Sequence, residues 1–328
     1  MTTCWADERV YYPVHARPYT PAHHFPRGKK DPGFQSKLQI AVALATEAKA
    51  AGLVFRAVAA DCAYGDHDSF RAGLHAAGLA FVMALEPRHG AWSHGTDAYT
   101  PVDAAHALAW TDADRPGDWT RIERAFRDGH AATWWAAEAR LGWWGPDGNV
   151  RLAVATTDPA TLPEKATWYL ATDLPRPGSP RAADSPNLPA DLAEIVRIYG
   201  LRHWVEQSYK QVKDELGWAD FQVRSDTAIR RHQTLVNCAF SFCWSTWFAP
   251  PSAAPPLCGH DAPPSAGKRG HNQTPPGPTA LLAPGDPGRP WLAGALEHAA
   301  TLLTSLDNPA STQRTPSPDQ RRCHRQTS

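Results

Sequence analysis

The chain has few cysteines, no long apolar run and no excess of either charge, and each shortage removes a class of function. Its six cysteines (Cys4, Cys62, Cys238, Cys243, Cys258 and Cys323) are scattered without a CxxC pair. That argues against both structural zinc and a disulfide framework. No stretch approaches the roughly 20 apolar residues of a membrane-spanning helix. The opening MTTCWADERV has neither a basic n-region nor an apolar h-region, so a cytoplasmic protein without a membrane partner is expected. Thirty-three basic residues balance 33 acidic ones. The whole-chain positive footprint of a nucleic-acid binder is therefore missing, and any such contact must use a local patch. No GxxxxGK[ST] cradle, no GxGxxG after a strand and no HExxH is present. His23, His24 and His203 read as loop or surface residues.

What is present suits a folded protein of 328 residues with 42% hydrophobic content. Fourteen tryptophans suggest heavy aromatic packing, or surfaces on which bases could stack. Packing is the favoured reading of the Trp134/Trp135 and Trp143/Trp144 pairs. RVYYPV at 9–14 reads as a short strand. Leu38, Ile40, Ala41, Leu44, Ala45 and Ala48 recur at helical spacing and stop at Gly52. LVFRAVAA at 53–60 and LAFVMAL at 79–85 read as buried strands joined by a helix over 69–77 with an Asp68/Ser69 cap. That βαβ unit implies parallel neighbours in a covered sheet. Residues 87–186 alternate short β-prone runs with Gly, Pro and Asp turns and read as a mainly β insertion. Helical patterns follow over 191–218 and 229–247. Twelve prolines between 250 and 290 mark 249–328 as a largely disordered tail, with one amphipathic stretch at 291–303. The expected divisions are thus 1–86, 87–186, 187–248 and 249–328.

Two segments could carry chemistry. Asp61 directly follows the strand VFRAVAA, and in open α/β sheets the site lies outside the carboxyl ends of the strands. An ordinary turn or cap aspartate is the alternative. Asp66 and Asp68 lie nearer the next helix, where N-capping accounts for them. The second segment is YGLRHWVEQSYKQVK. At about 100° per residue, Tyr199, Arg202, Glu206 and Lys213 fall within a stripe roughly 60° wide on one helix face. A carboxylate between cations and a phenol suits a phosphate-bearing ligand, with Glu206 on a metal and Arg202 and Lys213 on phosphate oxygens. A solvated face with a Glu206–Lys210 ion pair is the alternative. Taken together, one carboxylate after a strand and one on a later helix match what metal-assisted phosphodiester chemistry needs, because Mg²⁺ takes oxygen ligands.

The pattern Tyr-x2-Arg-x3-Glu-x6-Lys, met by Tyr199, Arg202, Glu206 and Lys213, resembles the signature of a superfamily of bacterial insertion-sequence DDE transposases. ADERVYYPVHARPYTPA, VAADCAYGDHDSFRAGL and RRHQTLVNCAFSFCW carry the likeness over most of residues 6–248. The resemblance implies an α/β, RNase H-like (retroviral-integrase-like) mixed sheet with helices, interrupted by a mainly β insertion. It implies Asp61 and Glu206 as catalytic metal ligands for Mg²⁺ or Mn²⁺, and Tyr199, Arg202 and Lys213 as residues that grip DNA phosphates. It also implies a first aspartate on a strand upstream of DERVYYP, a segment that begins six residues from Met1. The domain is therefore expected to be incomplete at its N-terminus, with Asp7 and Glu8 as surface positions. The expected function is metal-dependent cleavage and transfer of DNA ends by a truncated and catalytically impaired transposase. Its partners would be element ends and target DNA, with a homodimer or pairing with full-length transposase. A non-catalytic DNA-binding or inhibitory fragment is the alternative, and a nuclease of the same fold is a third reading.

Overall fold

The computed structural model describes residues 1–90, 100–126, 129–218 and 225–248. The tail expected from 249, with its amphipathic stretch, lies outside the described residues. The chain opens with a hairpin of β1 (Thr2–Ala6) and β2 (Tyr11–Ala16). Next come α1 (Lys37–Ala50), β3 (Val58–Ala60), α2 (Cys62–Gly65), α3 (Asp68–Ala76) and β4 (Phe81–Ala84). Helix α4 (Pro101–His106) precedes β5 (Thr120–Ala125), β6 (Ala131–Ala139), β7 (Arg151–Thr156) and β8 (Thr167–Thr172). The helices α5 (Pro180–Asp184), α6 (Leu192–Leu201), α7 (His203–Asp214) and α8 (Asp226–Phe248) close the described chain.

Helix α1 forms where the spacing predicts it. Ser36 accepts from the Gln39 amide at 3.2 Å and Gln39 Oε1 accepts from the Ser36 amide at 2.8 Å, a reciprocal capping box. Gly52, at φ +83°, lets the chain leave the helix in the left-handed region. Ile40, Leu44, Ala45 and Ala48 form the buried face.

Strands β3 to β8 make one six-stranded sheet in the order β3-β4-β8-β7-β6-β5. Only β3 and β4 are parallel, and α3 crosses between them; every other pairing is antiparallel. The β-prone runs of 87–186 therefore continue the sheet through the β4–β8 ladder. Alternation along β4 separates two cores. Phe81 and Met83 face Ala45, Phe70 and Leu74, whereas Val82 faces Leu170, Ile195 and Ile198. The mixed sheet with helices on both faces is the RNase H-like arrangement. Within it Arg151 is 1% exposed, donates to Glu138 and to the carbonyls of Leu174 and Ala190, and so has its charge paired and its N–H groups used.

The hairpin has its own core. Tyr11 and Tyr12 pack on Val212, Val236 and Phe240, Tyr11 stacks on Trp204 at 4.8 Å, and Trp244 Nε1 donates to the Tyr11 carbonyl at 2.6 Å.

Several local expectations are corrected. A strand, β1, precedes the YYPV run. The strand expected over 53–60 is reduced to Val58–Ala60, the residues that pair with Phe81, Val82 and Met83 of β4, while Arg56 is drawn to Glu194 and to the carbonyls of Leu188 and Pro189. Asp68 does not cap α3; its N-cap is His67, and the Asp68 carboxylate pairs with Arg71. The helix expected over 191–218 is two helices that meet at Arg202. There the amides of Arg202 and Val205 bond three residues back, at 3.0 and 3.1 Å, a tightened turn in which Arg202 keeps helical angles.

Candidate active site

The end of β3 delivers Asp61 into a short turn whose geometry depends on one glycine. A Cβ on Gly65 would lie 1.9 Å from the Ala84 carbonyl oxygen and 3.1 Å from Met83 Cβ. Helix α2 can therefore press against the end of β4 only with glycine there. Asp66 Oδ1 accepts from the Glu86 amide at 3.1 Å, and Arg71 donates to the Gly65 carbonyl. The turn is thus tied to both β4 and α3. Asp61 occupies the N-cap position of α2 without making a capping bond, so its carboxylate is left for other partners.

Those partners come from the junction of α6 and α7. Arg202 Nη2 lies 3.2 Å from Asp61 Oδ2 and 2.8 Å from Glu206 Oε1, and Nη1 reaches the same Glu206 oxygen at 2.9 Å. Two carboxylates from distant parts of the sequence thus meet on one nitrogen and lie no further apart than those two contacts laid end to end. Asp61 Oδ1 is buried with no hydrogen-bond partner. Glu206 pairs with Arg202, an i,i+4 contact, and among the described residues no ion pair to Lys210 is formed.

Tyr199 stands beside them. Burial raises its phenol above the usual range, with Arg202 opposing and Asp61, Cys62 and Glu206 adding to the rise. The hydroxyl therefore stays protonated, a neutral donor. Its ring meets Trp168 edge-on at 4.9 Å. Lys213 is placed differently: its Nζ lies 5.8 Å from the centroid of the Tyr209 ring, further along α7. Asp61, Arg202, Glu206 and Tyr199 therefore form one cluster, with Lys213 beyond it. Among the described residues no group of three or more His, Cys, Asp or Glu is disposed to hold a metal. His23 and His24 pack ring against ring at 4.1 Å with a 44° tilt, and His203 contacts Gln207.

The sequence reading missed Glu86. Burial raises the Cys62 thiol first, and Asp61, Asp66 and Glu86 raise it further, so these acids share one neighbourhood. The signal was available, since Glu86 follows the apolar run of β4 as Asp61 follows that of β3. A cavity of about 710 Å³ opens from the cluster. It runs between β1 and β3, with Asp61 and Glu206 at one end. Trp5 Nε1 crosses it to the Val54 carbonyl at 2.9 Å, and the Tyr64 hydroxyl reaches Met1 Sδ at 3.5 Å. The start of β1 thus faces the end of β3.

The tryptophan pairs divide. Trp134 and Trp135 are buried on opposite faces of β6, against Trp168 and Trp110 respectively. Trp144 packs under Arg71, and Trp143 is 86% exposed.

Comparison with known proteins follows the same line. Residues 1–140 match the family model described as DDE superfamily endonuclease. That match includes Asp61 and stops before α6 and α7. Over 213 residues the chain is 28% identical to the "Probable transposase for insertion sequence element IS701" of Microchaete diplosiphon, covering 65% of this chain and 47% of that protein. The chain thus spans about half the length of the curated relative it matches.

Proposed function

We propose, for a chain whose first 140 residues match the DDE superfamily endonuclease model, that it acts on DNA as an insertion-sequence transposase and that Asp61 and Glu206 are two of its metal-binding carboxylates. The observation that carries this reading is the meeting of Asp61 Oδ2 and Glu206 Oε1 on a single cationic nitrogen. Two hard oxygen donors, one beside a buried and unpartnered Oδ1, fit Mg²⁺ or Mn²⁺, which prefer carboxylate and water oxygens. When bound, such an ion would lower the cost of forming an oxygen nucleophile and offset charge on the phosphate.

The remaining groups position DNA. Arg202 offers a planar fork to phosphate oxygens. Tyr199, kept neutral by burial, donates without adding charge, and Lys213 contacts the backbone further along α7. Each charge-assisted contact contributes about 1.5–3 kcal/mol. The substrates would be element ends and target DNA, with end cleavage followed by transfer of a 3′-hydroxyl, in the cytoplasm at the nucleoid.

A third carboxylate is needed for full activity. Among the described residues no group of three or more His, Cys, Asp or Glu is disposed to hold a metal, so with Asp61 and Glu206 as two ligands, cleavage by this chain alone is expected to be impaired. The same observation favours a second reading, a DNA-binding fragment that restrains or pairs with a complete transposase.

The test is Mg²⁺- or Mn²⁺-dependent nicking of duplexes bearing the element's ends, comparing this chain, a form extended at its amino end, and Glu206→Ala in each. Nicking by the extended form, lost in Glu206→Ala, supports the enzyme reading. Binding without nicking by either form supports the restraining fragment. Nicking that survives Glu206→Ala would overturn the assignment of Glu206.

A further inference from the structure

Arg124 on β5 is a half-buried cation without a counter-ion among the described residues. Its Cζ lies 4.4 Å from the centroid of the Trp134 ring, 4.5 Å from that of Trp168 and 4.8 Å from that of Phe126. Among the described residues it makes no ion pair or side-chain hydrogen bond, whereas its neighbour Glu123 is taken by Arg121 at 2.8 Å. The guanidinium also lies hard against α6: a Cβ on Gly200 would come within 2.9 Å of Nη2. Gly200 follows Tyr199 and precedes Arg202 by two residues, and the Trp168 ring that stacks on Arg124 also meets Tyr199.

This is a costly way to place a charge. Removing a cation from water is compensated here only by ring faces, about 0.5–2 kcal/mol each. Its Cζ sits over all three ring faces, and among the described residues no acceptor takes its N–H groups, which lie in the guanidinium plane. A half-buried guanidinium held among ring faces with unspent N–H donors suits an oxyanion. The glycine at 200 allows that placement, since any side chain there would displace Nη2.

We infer that Arg124 binds a backbone phosphate of DNA engaged at the Asp61–Glu206 site, extending the grip of Tyr199 and Arg202 onto the outer strands of the sheet. This rests on the DNA reading given above. The ligand class is a phosphodiester, recognised by charge and geometry and not by base sequence. Trp134 and Trp168 act as positioning residues, holding the fork at a fixed angle.

The test uses the full chain and a fluorescein-labelled 30-base-pair duplex, with Kd measured across a salt series. Each phosphate neutralised contributes about −0.9 to the slope of log K against log salt. Arg124→Gln is expected to make that slope shallower by about 0.9, and Arg121→Gln, on the same strand but paired with Glu123, to leave it unchanged. A second measurement needs no variant: in the wild-type chain, duplex DNA should protect Arg124, but not Arg121, from phenylglyoxal, read by peptide mass spectrometry. Salt-dependent binding by wild type with an unchanged slope in Arg124→Gln and no protection would overturn the inference alone. Absence of salt-dependent binding by wild type would overturn the DNA reading and this inference with it.

Discussion

Replacing Gly65 with alanine tests whether the turn that presents Asp61 is built as described. A Cβ there would sit 1.9 Å from the Ala84 carbonyl oxygen, well inside van der Waals contact, and that oxygen belongs to backbone at the end of β4 and cannot rotate away. Either α2 lifts off β4 or the end of β4 moves, and overpacking of this kind costs about 1–3 kcal/mol. For a folded body of this size that corresponds to a fall in Tm of roughly 2–12 °C. Lifting α2 would also move the Gly65 carbonyl from Arg71 and shift Asp61 relative to Arg202. Gly90, where an added Cβ meets nothing within 4 Å among the described residues, is the control; Gly28 is as open but its φ of +56° makes it less suited. Differential scanning calorimetry of wild type, Gly65→Ala and Gly90→Ala reads the effect directly. A Gly65→Ala melting point within the error of Gly90→Ala would refute the close packing of α2 on β4.

Glu138→Gln is expected to cost about 3–5 kcal/mol, because it leaves the Arg151 guanidinium charged and uncompensated inside the sheet; urea unfolding measures it, and Glu138→Leu with Arg151→Met should recover much of the loss. Asp173 carries a pH dependence. Burial raises its carboxyl above the ordinary 3.8, so the stability it contributes is complete below that value and is lost as pH rises through its folded pKa. Asp173→Asn keeps an acceptor for the Phe81 amide, 2.9 Å from Oδ1, and should lose less stability than wild type between pH 4 and neutrality, read by urea midpoints across that range. An identical pH profile in the two proteins would show that Asp173 is not held in the way described.

Where local pattern and tertiary contact agree, the sequence could be read. Helix α1 carries its cap, its period and its terminating glycine within seventeen residues, Ser36 to Gly52, so 37–50 was legible without a fold. The βαβ unit was legible for the same reason, although β3 shrank to the three residues that pair with β4 while Arg56 turned to Glu194. Strand β5 was not foreseen, since TRIERA is half charged and becomes a strand by pairing with β6. That the strands of 87–186 join the first sheet depends on Val82 to Ala84 meeting Leu170 to Thr172, a long-range choice that periodicity does not carry. At the site, Asp61, Arg202 and Glu206 were legible as types in a spacing. Their meeting was not, because the stripe on an unbroken helix cannot show the tightened turn at Arg202 that aims the guanidinium at Asp61. Lys213, fixed by the same stripe, is instead beside Tyr209. Arg124 gave no local signal, since its setting is assembled from β5, β6, β8 and α6.

The central claim is that Asp61 and Glu206 share one divalent cation. Titration of the purified chain with Mn²⁺, followed by loss of the free-ion electron paramagnetic resonance signal, measures this without requiring cleavage. Asp61→Asn and Glu206→Gln should each weaken binding about tenfold or more, as expected when a coordinating carboxylate loses its charge, while Glu215→Gln on the far side of α7 should not. Equal Mn²⁺ affinity in wild type, Asp61→Asn and Glu206→Gln would contradict the account.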